Sequence, residues 1–291
     1  MMFRLVETLA GQGIPITVSC RTLGVSVSGF HAWRSRGPSR RDRADRELTA
    51  VVRAIHAASR GTYGVRRVHA ELRLGHDLIV NHKRIERVMR NACIQGVHHR
   101  KYRRGKPYRL PAVFEDHVQR RFSAERPDQL WVTDITQHPT GQGWVYCAAV
   151  VDVFSRRCVG WSIANHLRTE LVLDALEMAR LRRNPNGTIV HSDRGTQFTS
   201  WLFGARLRQL GLMGSMGKVA SAYDNALMES FWGSMQLELL DRRSWTTKTE
   251  LGQAIFEWIE AFYNPRRRHS SLGYLSPNQY EALHNQAAVA A

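Results

Sequence analysis

The spacing of apolar and polar positions changes character once along the chain. From Val6 to Arg36 apolar residues recur at helical intervals, Gly24 interrupts them, and Ser26 or Ser28 is placed to cap a following helix that carries Phe30 and Trp33. The spacing predicts helix, tight turn, helix. "GPSRRDRAD" from Gly37 to Asp45 reads as a linker, and "RELTAVVRAIHAAS" after it as an amphipathic helix. Two more helical stretches follow, "GTYGVRRVHAELR" and "VNHKRIERVMRNACIQG"; Asn81 is placed to cap the second, and Lys83, Arg84, Arg87 and Arg90 run along much of one side.

Past Arg126 the period shortens to that of strands. "QLWVTDIT" (Gln129 to Thr136) and "GWVYCAAVVDVFSRRCVGWSI" (Gly143 to Ile163) are rich in Val and aromatic residues, with "FSRR" as the turn between two antiparallel strands. "TELVLDALEMARLRR" reads as a helix, "GTIVHSD" as a buried strand, and "SWLFGARLRQLG" and "YDNALMESFWGSMQLELL" as further helices. Strands followed by alternating strand and helix predict an α/β core. The implied organisation is a helix-turn-helix at 1–37, a second helical region at 38–96, a basic linker at 97–125, an α/β core at 126–285 and a short tail at 286–291.

Charge sharpens that division. The chain has 291 residues and a formal net charge of +17; residues 1–125 carry 25 basic and 10 acidic residues, and the remainder is nearly balanced. A surface this basic attracts polyanions, and phosphate backbones are the commonest large ones. The tract from Val97 to Arg109 has basic residues and no acidic one, and suits a tether lying along such a backbone, with Lys101, Arg103 and Arg104 as contacts. No apolar run long enough for a membrane span and no signal-peptide pattern occurs, so a cytoplasmic protein without a membrane partner is expected. Cys20, Cys93, Cys147 and Cys158 are scattered without metal-ligand spacing and read as reduced and structural.

Three carboxylates stand where structure alone has little use for them. Asp134 falls inside an apolar strand, Asp193 ends another, and Glu229 sits in a helical segment. A buried carboxylate costs several kcal/mol unless it is paired or ligates a cation. Taken singly, each has a plainer reading: Asp134 paired with an arginine, Asp193 capping the next helix, Glu229 on a helix surface. Asp152, beside the "FSRR" turn, and Asp224, a helix cap, are competitors. Jointly the three form a spaced set, with 35 residues between Asp193 and Glu229.

The phrases "WVTDIT", "VVDVFSRRCVGWSI", "HSDRGTQFTS", "YDNALMESFW" and "FYNPRRRHSSLGYLSP" resemble the catalytic core of retroviral integrases and of bacterial insertion-sequence transposases of the OrfB type. "YGVRRVHAELR" and the basic helix after it resemble the helix-turn-helix region of the same transposases. The resemblance implies a ribonuclease-H-like core, a mixed sheet with flanking helices, preceded by a helical DNA-binding region. It further implies a DDE polynucleotidyl transferase whose metal-binding carboxylates are Asp134, Asp193 and Glu229. Two Mg²⁺ or Mn²⁺ ions roughly 3.5 to 4 Å apart are expected to serve cleavage by water and joining by a freed 3′-hydroxyl.

Relatives commonly carry Lys or Arg seven residues past the Glu to contact terminal DNA. This chain has Gln236 there, with Lys218 or the Arg266–Arg268 run available to supply the charge. The implied partners are element-end and target DNA, a second copy of the chain on DNA, and an upstream DNA-binding subunit or frameshift fusion. A metal-dependent nuclease of the same fold shares the carboxylates but only cuts, and a non-catalytic DNA-binding regulator needs only residues 1–125.

Overall fold

Among the described residues six helices precede the first strand: α1 (Met2–Gly11), α2 (Ile16–Thr22), α3 (Val27–Ser35), α4 (Arg40–Ala58), α5 (Val65–Gly75) and α6 (His82–Asn91). They belong to a computed structural model that describes residues 2–98, 113–118, 122–183, 185–216 and 226–290. The chain divides into two units, Met1–Ala54 and Ile55–Ala291.

In the first unit the expected helix before the turn is two helices. Gly13, with φ +87°, and Pro15 end α1 and start α2, because the first adopts a left-handed backbone and the second has no amide to continue a helix. Gly24 (φ +64°) then makes the tight turn, and the Ser26 hydroxyl accepts from the Gly29 amide at the start of α3. Val6, Cys20 and Phe30 form the small core, with Phe3 and Trp33 packed against it. The linker expected at 37–45 is mostly helix: Ser39 and Asp42 cap each other reciprocally, the Asp42 amide donating to the Ser39 hydroxyl and the Ser39 amide to the Asp42 carboxylate. That capping box outweighs the local crowding of positive charge and starts α4 at Arg40.

In the second unit α5 and α6 pack through Val68 and Leu72 on one helix and Ile85, Val88 and Met89 on the other. The Asn81 side chain caps α6 as the sequence predicts, accepting from the Lys83 amide at 2.9 Å. The strands are β1 (Leu130–Thr140), β2 (Gly143–Asp152), β3 (Cys158–Ala164), β4 (Ile189–Ser192) and β5 (Met213–Met216), and the helices among and after them are α7 (Thr169–Arg183), α8 (Trp201–Gln209), α9 (Ala226–Glu238), α10 (Lys248–Glu257) and α11 (Pro277–Ala290). β1 runs four residues past the expected Thr136, because the pairing with β2 continues to Thr140 opposite Gly143.

The sheet order is β3-β2-β1-β4-β5; β1, β2 and β3 are antiparallel neighbours, and β4 and β5 run parallel to β1. This is the mixed, ribonuclease-H-like arrangement with flanking helices. Trp131, Val150, Val159 and Val190 on one face of the sheet pack with Leu171, Val172, Ala175 and Leu176 of α7 and with Phe203 and Leu207 of α8. Gly160 lets α7 approach closely, since a Cβ there would lie 2.1 Å from the Ala175 carbonyl oxygen. Three cysteines are buried, but Cys93 is exposed just after α6, so the expectation that all four are structural fails for it. Among the described residues no helix is long and apolar enough to cross a membrane.

Candidate active site

The parallel register between β1 and β4 brings two of the expected carboxylates together. Thr133 pairs with Ser192, so Asp134 and Asp193 are the next residues along adjacent chains, which lie about 4.8 Å apart. Side chains alternate across a sheet, so both aspartates leave the side occupied by the α7 core. Both line a cleft of about 220 Å³, together with Thr136, Gln137, Tyr146, Leu167, Gln197 and Phe198. Neither strand shows this in its own sequence, because register is a property of the pair.

Asp134 is half-buried, and its carboxylate accepts from the Trp232 indole N–H at 3.2 Å. Burial, then the neighbouring charge of Asp193, then that of Glu229, push Asp134 up to about 7, against the hydrogen bonds from the Ile135 amide and Trp232. One oxygen of Asp193 accepts from the Gly195 amide at 2.9 Å. A Cβ on Gly195 would meet that oxygen at 3.1 Å, so glycine here protects the position of the carboxylate. The following helix α8 is capped by Ser200 and not by Asp193; its hydroxyl accepts from the Phe203 amide.

Glu229 is exposed in the first turn of α9, and Trp232 lies one turn further along that helix. α9 therefore carries both a hydrogen-bond donor to Asp134 and a charge that acts on it. Trp232 was not singled out in the sequence, although its spacing of three from Glu229 was a usable signal. Among the described residues no three His, Cys, Asp or Glu side chains stand close enough together to hold one ion. The Asp134 and Asp193 oxygens are turned to Trp232 and Gly195, and Glu229 remains at the rim.

The competitor Asp152 is placed elsewhere. It pairs with Trp131, three residues from Asp134 and thus about 10 Å along β1. It accepts from the Asp128 amide and from both the amide and the hydroxyl of Ser155, which makes it the organiser of the β2–β3 turn. Asp224 lies outside the described residues.

Of the residues expected to meet DNA, Lys83 is exposed and Arg84 and Arg87 are half-buried on α6. Arg90 is paired with Glu86 one turn away. Lys101, Arg103, Arg104 and Lys218 lie outside the described residues. Gln236 is half-buried near the end of α9, where its amide donates to the Asp241 carboxylate. Arg267 and Arg268 are buried and bonded to Glu238 and Glu71, so they are not free to replace a basic residue at position 236; Arg266 is exposed.

Two family profiles described as integrase core domain match residues 124–222 and 210–277, and one described as an HTH-like domain matches 42–102. The transposase for insertion sequence element IS629 from Shigella sonnei is 37% identical over 267 residues, spanning 90% of this chain and 90% of the relative. The transposase InsF for insertion sequence IS3A from Escherichia coli (strain K12) is 37% identical over 274 residues, 91% of this chain and 93% of the relative. Among solved structures, the simian T-cell lymphotropic virus intasome in complex with PP2A regulatory subunit B56 gamma has a TM-score of 0.46 at 15% identity, covering 75% of this chain and 74% of that one. The HTLV-2 integrase catalytic core domain in complex with magnesium has a TM-score of 0.43 at 16% identity, covering 55% and 99%.

Proposed function

The chain belongs to the insertion-sequence transposases with an integrase core domain, proteins of DNA transposition, and we propose that Asp134, Asp193 and Glu229 are the carboxylates that carry its phosphoryl transfer. The observation behind this reading is the side-by-side placement of Asp134 and Asp193 in one cleft, with Asp134 raised to about 7 by burial and by the other two charges.

Neighbouring, partly buried carboxylate oxygens are the donor type that Mg²⁺ or Mn²⁺ prefers, so Asp134 and Asp193 fit a divalent cation in their chemistry, and Glu229 would have to approach them to complete the set. Asp134 and Asp193 would hold it, with Glu229 as the third donor; when bound, the metal supplies Lewis acidity toward the attacking and leaving oxygens of a phosphodiester. The chain's own groups set the stage for that step. Trp232 and the Ile135 amide hold the Asp134 carboxylate, and the Gly195 amide orients Asp193 so that its second oxygen is available. Gln137, Tyr146 and Gln197 line the cleft beside the carboxylates with amide and phenol groups able to bond DNA oxygens.

The DNA contacts belong to the same reading: Lys83, Arg84 and Arg87 on α6, the tract with Lys101, Arg103 and Arg104, and Lys218. Cleavage followed by joining separates the transposase chemistry from a nuclease, which yields cut DNA only. The test is strand cleavage and joining on DNA carrying the element's own ends, with and without Mg²⁺, for the full chain and for Asp193→Asn. Metal-dependent joined product with the wild-type chain and none with the variant is expected. Joining that survives in the variant removes Asp193 from the site.

A further inference from the structure

Two phrases that lie some 200 residues apart in the chain meet in space. In "YGVRRVHAELR", Tyr63, Arg67 and Glu71 face Arg266, Arg267 and Arg268 of "NPRRRH" and Glu238 at the end of α9. The Arg268 amide donates to the Tyr63 hydroxyl at 2.8 Å, and that hydroxyl donates to the Arg266 carbonyl. Arg268 Nε donates to Glu71 at 2.5 Å. Arg267 grips Glu238 with two donors at 2.8 Å each, and Arg67 reaches the same carboxylate at 3.2 Å. Arg267 and Arg268 are 4% and 3% exposed, so their side of the seam is shut off from water, while Arg67 and Glu71 stay partly exposed.

The seam reaches both of the elements that matter to a DNA end. On one side Glu238 and Ser234, which also accepts from Arg267, lie on the helix that begins with Glu229. On the other side α5 is packed to α6, and the chain leaving α6 returns to the seam: the Val97 amide donates to the Thr62 carbonyl, and a Cβ on Gly96 would lie 2.4 Å from the Gly64 nitrogen. The α5–α6 pair is thus fastened at both its entry and its exit.

We propose that this seam fixes α6 relative to Glu229, so that the spacing between a DNA contact made by α6 and the attacked phosphate is set within one chain. Arg67, Glu71, Arg267 and Arg268 are its positioning residues. The proposal rests on the reading that α6 contacts DNA and that Glu229 is a site carboxylate.

The experiment measures cleavage by the full-length chain, with Mg²⁺, on end duplexes in which base pairs are inserted one at a time between the footprint of α6 and the cleaved phosphate. The wild-type chain is expected to cut at one spacing. The Arg67→Gln/Glu71→Gln double variant should keep its DNA affinity within about twofold, cut the correct spacing at least about tenfold more slowly, and cut the neighbouring spacings relatively better. Arg67→Lys alone, which keeps the charge, should retain the sharp profile. A uniform fall at every spacing, or an unchanged profile, overturns the positioning role. If thermal melting shows the double variant unfolded, Glu71→Gln alone, whose side chain is 25% exposed, is read in the same way. Lys83→Ala/Arg87→Ala is the separate arm: it should weaken binding to the end duplex, and unchanged affinity brings down the α6 reading itself rather than the seam.

Discussion

α9 joins two charge clusters of opposite make-up, a buried one at its end and a partly buried one at its beginning. At its far end the Glu238 carboxylate is enclosed by two guanidinium groups, those of Arg267 and Arg67, and the Ser234 hydroxyl bonds Arg267 as well, so the buried carboxylate is fully met by opposite charge. At its beginning, burial of Asp134, then the charge of Asp193 and last that of Glu229 raise the Asp134 carboxyl to about 7. Burial is expensive for Glu238 at one end and for Asp134 at the other. Where opposite charges offset it, the cluster is structural; where like charges deepen it, the cluster is the one for which a catalytic role is proposed. The comparison also separates Asp152 from the proposed catalytic carboxylates, because burial raises it to about 6 while two hydrogen bonds from its own turn and one from the Asp128 amide satisfy it.

The largest effect should come from the cleft. Asp134→Asn, Asp193→Asn and Glu229→Gln each keep shape and remove the charge that holds a metal, and each should abolish cleavage and joining while DNA affinity, measured by filter binding, stays near wild type. Near-normal joining by any one of them would remove that residue from the site and with it half of the contrast. Next is the seam. Replacing Arg267 by Met leaves Glu238 buried without its main partner and should cost about 3–5 kcal/mol in urea unfolding. A loss below about 1 kcal/mol would show that the pair is open to water and not a closed cluster.

The third effect has a sign fixed by linkage. The folded chain holds the Asp134 proton up to about pH 7, whereas an unfolded aspartate releases it near pH 4. The folded state therefore binds more protons across that window, and this group's contribution to stability falls as pH rises from about 4 to about 7. In metal-free protein Asp134→Asn should be more stable than wild type at pH 8, by on the order of 2–4 kcal/mol and with a higher melting temperature, and nearly equal to it at pH 4. Mg²⁺ should stabilise the wild-type chain at pH 8 and leave the variant's melting temperature almost unmoved. A variant less stable than wild type at pH 8 without metal contradicts the crowding of charge.

The smallest effect concerns Gln236, between the two clusters. A lysine there would be expected to add one phosphate contact, about 0.9 in the slope of log affinity against log salt. Because Gln236 bonds Asp241, the new ammonium has a carboxylate within reach, and the slope should steepen by clearly less than that. The full increment, measured across a salt series with end DNA, would mean that Asp241 does not hold residue 236.

Much of this molecule follows from local chemistry and is therefore legible in the chain. Helix starts at Ser26 and Asn81 come from side chains that bond amides two or three residues ahead, and the strand texture of Trp131–Ile135 or Val145–Val151 comes from β-branched and aromatic residues. Where local signals compete, reading is harder: the Ser39–Asp42 capping box sits inside a run of arginines that looks like a linker, and Gly13–Pro15 divides a segment whose apolar spacing reads as one helix. The three carboxylates stand out as a spaced set, and the resemblance gives that set its proposed role. Only tertiary structure decides that Asp134 and Asp193 are neighbours, since that depends on the parallel register of β1 with β4. It alone decides that two arginines of "NPRRRH", Arg267 and Arg268, are held by Glu238 and Glu71. A basic run is the same in sequence whether it faces phosphate or a glutamate, because the partner, 29 residues away for Arg267 and 197 for Arg268, is chosen by the fold.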